Sequence, residues 1–151
     1  MVASLLLTPL VRRIALQLDL VDRPDAQRKL HTRAIPLGGG IAVFLAFTLS
    51  LVTVVAVSIS QRLDLVENSR FLVAIVAAGM MICALGILDD RFNLRGRHKL
   101  VGQCVAASLL IVSGVWIDRI QVFGITLDLG LLAVPFTLFW LLGAVNSLNL
   151  I

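Results

Sequence analysis

The chain has 151 residues, of which 59% are hydrophobic and 15% charged, where soluble domains have roughly half and one quarter. With a mean hydropathy of +1.00, this composition excludes a disordered chain, a coiled coil and a nucleic-acid module, and it points to an all-α integral membrane protein. Thirteen basic residues outnumber nine acidic ones, for a net charge of +4. The cations sit at the ends of apolar runs, a placement that suits membrane topology and anionic head groups rather than nucleic acid.

The N-terminal stretch MVASLLLTPLVRRIALQL runs only eleven residues before Arg12. That is too short to cross a bilayer, so the expectation is the inner end of a spanning helix whose beginning is absent, with an interfacial helix as the other option. No cleavable signal peptide is evident, because the arginines follow the apolar residues instead of preceding them. Four runs are then long enough to span: residues 41–60, 71–88, 100–117 and 131–151. The first two carry no charge, and the third has Gln103 as its one large polar residue. In the fourth, Pro135 falls in the first turns, where a missing N–H does least harm. Residues 120–129, IQVFGITLDL, alternate around a glycine and predict a short external β-hairpin. Cys83 and Cys104 lie within apolar runs without a CxxC spacing and read as small buried residues.

Orientation follows from the cations. Arg12, Arg13, Arg23, Arg28, Lys29 and Arg33 precede the first full span, and Arg91, Arg95, Arg97 and Lys99 follow the second. Only Arg62, Arg70 and Arg119 lie in the alternate loops. Residues 12–40 and 89–99 are therefore expected in the cytoplasm, and the last helix ends there too. The unusual polar groups thus gather on one face of the membrane.

Three constellations on that face could do chemistry. Asp89-Asp90 closes an apolar run in GILDDRFNL. An exposed acidic pair is the plain reading, but the negative end of a helix disfavours two carboxylates unless cations or a metal stand nearby. Neighbouring residues in a helix face different ways, so the two aspartates are expected to differ in role, or one of them to have left the helix. The second is the loop LVDRPDAQRKLHTRAIPLGGG, residues 20–40, in which Pro24 and Pro36 oppose helix. Its cations, Lys29 among them, suit either a positive-inside loop or anionic substrates, and His31 read alone is a loop residue. Gly38, Gly39 and Gly40 could admit a phosphate or simply open the next helix. The third is Asn146-x-x-Asn149, two amides on one helix face. They suit interhelical hydrogen bonding or a hard cation or polar ligand equally well. Cations and paired carboxylates at a membrane face fit a phosphorylated substrate with a divalent metal, and so phosphoryl transfer.

In order, VDRPD…RKLH…IPLGGGIAVF, GILDDRFNL and NSLNLI resemble the signatures of the polyprenyl-phosphate N-acetylhexosamine-1-phosphate transferases, glycosyltransferase family 4. The likeness is greatest to the bacterial undecaprenyl-phosphate N-acetylglucosamine-1-phosphate branch, which begins O-antigen, enterobacterial common antigen and teichoic acid linkage synthesis. The resemblance implies transfer of a sugar 1-phosphate from a UDP-amino sugar to undecaprenyl phosphate, with release of UMP, at the cytoplasmic face of the bacterial inner membrane. It implies Mg²⁺ as cofactor. It places Asp89 and Asp90 in the catalytic pair, Lys29 and His31 in the substrate-binding R-K-x-H loop, Asn146 near the nucleotide and Asn149 as a metal ligand. Membrane lipid is a further expected partner, nucleic acid is not, and a homodimer is an open option. The 22–31 loop is one residue longer than the family pattern, and the family's Asp-Gly run and later helices would follow Ile151.

The expectation is therefore a single transmembrane domain forming the N-terminal half of a larger polytopic enzyme. The alternative is a truncated, non-catalytic membrane protein that binds polyprenyl phosphate or a full-length homologue; an open frame continuing with Asp-Gly after codon 151 would decide for the enzyme. Purified residues 1–151, given UDP-sugar and lipid phosphate, are expected to release no UMP, and measurable release would refute the fragment reading.

Overall fold

The computed structural model describes residues 2–18, 20–22, 35–36, 38–60 and 69–148. In chain order they form α1 (Val2–Gln17), β1 (Val21–Asp22), β2 (Ile35–Pro36), α2 (Gly39–Ser60), α3 (Ser69–Phe92), α4 (Gly96–Val112), β3 (Arg119–Val122), β4 (Ile125–Asp128), a 3₁₀ turn (Gly130–Leu132) and α5 (Ala133–Leu148). The helices are apolar on most sides, and large side chains such as Val43, Phe47, Val73, Val101 and Phe139 stand exposed. That is the pattern of helices whose solvent is hydrocarbon. The chain divides into two compact units, residues 1–66 with 83–94, and residues 67–82 with 95–151; α3 passes through both.

In the first unit α1 packs against α2. Ala15 of α1 and Ala42 and Ala46 of α2 are buried, while their larger neighbours are not. Small side chains let two backbones approach closely, which is how helices gain contact where water supplies no hydrophobic drive. Along α2 the hydroxyls of Thr48, Ser50 and Thr53 each donate to the carbonyl four residues back, at 2.8–2.9 Å. Their polarity is thereby absorbed by their own helix. β1 and β2 pair antiparallel, Val21 opposite Pro36 and Asp22 opposite Ile35.

The second unit is built on α4 and α5. Ala106, Ala107 and Ala133 are buried, and two polar contacts tie the elements together. At one end the Ile117 amide donates to Thr137 Oγ1 at 2.8 Å, and that hydroxyl donates to the Ala133 carbonyl at 2.7 Å. Toward the end where α4 begins, Gln103, only 2% exposed, exchanges amide hydrogen bonds with Asn146. Asn146 Nδ2 donates to Gln103 Oε1 at 2.8 Å, and Gln103 Nε2 donates back to Asn146 Oδ1 at 3.3 Å. Between them lies an apolar contact in which no other large amide competes.

Two sequence expectations about spans need correction. Three helical segments, Gly39–Ser58, Ser69–Phe92 and Gly130–Ser147, are long and apolar enough to cross a membrane. The run 100–117 is not one continuous helix: α4 starts earlier, at Gly96, and stops at Val112. The stop has a local cause. Gly114 adopts φ +94°, its amide bonds to the Ile111 carbonyl at 2.9 Å, and the Val115 amide bonds to Leu110 at 3.0 Å. This is a Schellman closure, which needs a residue free to turn left-handed. A Cβ on Gly114 would also lie 3.0 Å from the Phe71 ring. Residues 100–112, the uncharged part of α4, extend roughly 20 Å at about 1.5 Å per residue, short of the about 30 Å hydrocarbon core. The second correction concerns α3, which continues past residue 88 to Phe92 and so contains the aspartate pair. The hairpin expected at 120–129 is present as β3–β4.

The Gln103–Asn146 clasp predicts measurable coupling. Gln103→Leu and Asn146→Leu should each destabilise detergent-solubilised protein, by roughly 0.6–2 kcal/mol for an interhelical hydrogen bond. The double variant should cost less than the two single costs added together, and a double-mutant cycle with zero coupling would show that the pair holds nothing.

Candidate functional site

The aspartate pair occupies the last turn of α3. Asn93 follows in the left-handed region at φ 47°, and its amide caps the Asp89 carbonyl at 2.8 Å. Asparagine tolerates that conformation better than other non-glycine residues, so the helix ends at Phe92, just after the pair. Both aspartates therefore remain helical, rotated about 100° from each other. The option in which one of them leaves the helix is not what forms. They do differ in environment: Asp89 is half-buried and Asp90 is exposed. Arg91, also in the last turn, adds a cation where the helix dipole is negative.

Asp90 and Arg91 line a small cavity with Ile87 of α3 and with Leu20, Gly38 and Ile41 from the N-terminal segment. All six residues belong to the first unit. The space is ≈ 20 Å³, about one water, so it marks a packed junction rather than a ligand pocket. Its significance lies in what the lining residues flank. Leu20 precedes β1 and Gly38 follows β2, and these two strands pinch together the ends of the loop 23–34. The Leu20 amide bonds back to the Ala15 carbonyl at 2.8 Å, which fixes the exit from α1. Gly38 turns left-handed at φ +94°, with its carbonyl accepting from the Ile41 amide at 2.9 Å, and this fixes the entry into α2. A side chain at Gly38 would come within 3.3 Å of Ile41 Cδ1. The glycine run thus opens α2 at its first member. The stem of the cationic loop is held at the aspartate-bearing end of α3.

The remaining candidates stand as follows. Lys29, His31 and Asn149 lie outside the described residues. Asn146 is half-buried in the second unit and engaged on three sides: with Gln103 through two bonds, and with the Leu142 carbonyl, which accepts from Nδ2 at 2.8 Å. Both of its amide hydrogens are committed to the protein, and one lone pair of Oδ1 is left over. The interhelical option for this residue is thus realised. Gln103 is the partner that the sequence reading passed over. The available signal was a single large amide in an apolar run, which needs a partner as much as Asn146 does.

The chain matches the family model described as glycosyl transferase family 4 over residues 72–151, which takes in α3, α4, α5 and the Asn-x-x-Asn segment. Among curated relatives it is 33% identical, over 97% of its own length, to a Bacillus subtilis protein named "Probable undecaprenyl-phosphate N-acetylglucosaminyl 1-phosphate transferase". It is 34% identical over 70% of its length to a Mycobacterium tuberculosis decaprenyl-phosphate N-acetylglucosaminephosphotransferase. To a Thermotoga maritima undecaprenyl-phosphate alpha-N-acetylglucosaminyl 1-phosphate transferase it is 29% identical over 99% of its length. It spans 38%, 25% and 42% of these three relatives. No solved structure matches. With a family match across more than half of its residues and near full-length similarity to such relatives, the chain belongs to glycosyl transferase family 4.

Proposed function

We propose that this chain carries part of the active face of an enzyme that transfers N-acetylglucosamine 1-phosphate from a UDP-sugar to undecaprenyl phosphate. UMP is released, and synthesis of a cell-envelope polysaccharide begins. The observation that supports this most directly is the junction at which the stem of the 23–34 loop meets Asp90 and Arg91. The sequence between those two strands carries Arg28, Lys29 and His31, groups suited to anionic substrates. The named relatives act on undecaprenyl or decaprenyl phosphate, which is the acceptor this reading requires.

The chemistry needs little covalent help. An oxygen of the lipid phosphate attacks the phosphorus bearing the sugar, the bond from that phosphorus to the UMP oxygen breaks, and the electron pair leaves on UMP. Such transfers depend on bringing two anions together and on neutralising the charge between them. Lys29 and His31 bind and orient the diphosphate as charge-assisted donors. Asp90, exposed at the helix end, takes a proton from the lipid phosphate and leaves it a better nucleophile. Asp89, half-buried, holds the helix end and its neighbour in place. Asn149 would supply an amide oxygen, the kind of hard donor that suits Mg²⁺ completed by substrate phosphates. Bound there, Mg²⁺ supplies neutralisation of the phosphate charge.

In this reading the protein lies in the bacterial inner membrane with residues 12–40 and 89–99 in the cytoplasm, supported by the ten-to-three division of cations. The fourth crossing is made by α4 together with the non-helical residues 115–118. Their backbone is supported on α5 through the bond from Ile117 to Thr137. That arrangement respects the rule that non-helical backbone at membrane depth must be covered by protein.

The test uses the intact gene product in membranes. Asp90→Asn should lower turnover by about 10²–10⁴-fold, the range for loss of a general base, and Asp89→Asn should also fall sharply, with insertion and abundance unchanged. Near-normal turnover in both would overturn the assignment. Lys29→Ala should raise the KM for UDP-sugar by roughly tenfold or more, as expected for losing a hydrogen bond to a charged group. An unchanged KM would remove Lys29 from the binding face.

A further inference from the structure

The β3–β4 hairpin is sharply two-faced. Its register sets Arg119 opposite Asp128 and Gln121 opposite Thr126, while Ile120 faces Leu127 and Val122 faces Ile125. Directly opposed residues share a face of an antiparallel pair. One face is therefore wholly polar and closed by an ion pair, with Arg119 Nε 3.0 Å from Asp128 Oδ1. The other face is wholly apolar: Val122, Ile125 and Leu127 are exposed and Ile120 is half-buried. At the tip, Phe123 and Gly124 take φ 51° and 83°, the pattern of a type I′ turn. The first position of that turn favours Asn, Asp or Gly. Here it holds a phenylalanine in a strained left-handed conformation, with its side chain 100% exposed. Nothing within the described residues offsets the strain or covers the ring.

Position along the chain indicates what does. The Leu129 amide bonds to the Asp118 carbonyl at 2.8 Å, closing the base of the hairpin. The next residue, Gly130, begins a segment apolar enough to cross a membrane. Leu131, 99% exposed, and Leu132 continue the apolar surface from the hairpin into that segment. On the other flank stands Trp116, half-exposed, a residue type that favours the membrane–water boundary. The hairpin is thus tethered at both ends to the level of the bilayer surface, and its apolar face is continuous with lipid-facing helix. Four residue pairs are too short to span, so the element does not cross the bilayer.

We propose that β3–β4 is an interfacial membrane anchor. It lies on the bilayer with Ile120, Val122, Ile125 and Leu127 toward the acyl chains, Phe123 inserted at its tip, and the Arg119–Asp128 face toward water. Its occupant is lipid, not a second protein surface, and the proposal stands apart from the catalytic reading.

Single cysteines placed at 121, 122, 123, 125 and 126, in a Cys83→Ala/Cys104→Ala form of the intact gene product, can carry nitroxide labels in phosphatidylglycerol/phosphatidylethanolamine vesicles. Collision with oxygen relative to a water-soluble nickel chelate should be several-fold higher at 122, 123 and 125 than at 121 and 126. Equal, nickel-accessible values at all five sites would mean that the hairpin stands in water, and would overturn the proposal. Immobile labels shielded from both reagents at 122 and 125 would mean a protein partner, and would overturn it too. Phe123→Asn keeps a residue suited to the turn, so the hairpin should persist while the label at 125 shifts toward water. No shift would show that the phenyl ring is not the anchor.

Discussion

Hydrocarbon offers no hydrogen bonds, and that constraint governs most of what this chain does. Each of its long helices satisfies its own backbone, and the hydroxyls of Thr48, Ser50 and Thr53 turn back onto their own helix. With no water to squeeze out between helices, contact depends on close approach, so the buried residues are alanines such as Ala15, Ala42 and Ala106 while leucines and valines face outward. Where a large polar group does enter the apolar zone, it must bring its partner, as Gln103 and Asn146 do for each other.

The same constraint makes the helix ends the chemically active places. A carboxylate is costly at mid-bilayer and tolerable at an exit, and Asp89 and Asp90 sit in the final turn of α3, beside Arg91 and an asparagine cap. Near that end the exit from α1 and the entry into α2 are fixed by local devices: a two-pair strand stem, a left-handed glycine, and a backbone bond that closes α1. None of these is chemical in itself. Together they set Leu20 and Gly38, on either side of that strand pair, in one small cavity with Asp90 and Arg91. In the second unit the hairpin resolves the same problem differently, keeping its charges on one face and its hydrophobic side chains on the other.

Membership of glycosyl transferase family 4 explains why the polar residues fall where they do without dictating what each one touches. Asn146 shows the difference. Its place in the Asn-x-x-Asn segment suggests a ligand group, yet both of its amide hydrogens are bound within the protein. Whatever it contributes to chemistry, it contributes while joined to Gln103 of the neighbouring helix.

Composition and periodicity alone determined that this is a helical membrane protein, where three of its membrane-length helices lie, that the IQVFGITLDL segment folds back as a hairpin, and which polar residues are candidates for a site. Those features are legible because they depend on nearby residues: an uncharged run of sufficient length, an alternation around a glycine, a pair of acids at an apolar boundary. Tertiary structure alone decided that α4 halts at Val112, because the Schellman closure at Gly114 sits against the Phe71 ring. Both aspartates stay helical for a local reason, the Asn93 amide closing the turn that holds them. Tertiary structure also decided that Gln103 answers Asn146 across 43 residues of sequence, and that the stem of the loop abuts Asp90. The amide pair, the cavity beside Asp90 and the seat of Gly114 on Phe71 rest on contacts between segments far apart in the chain, and no local pattern of residues records which distant group will satisfy a buried amide or fill the space beside a glycine.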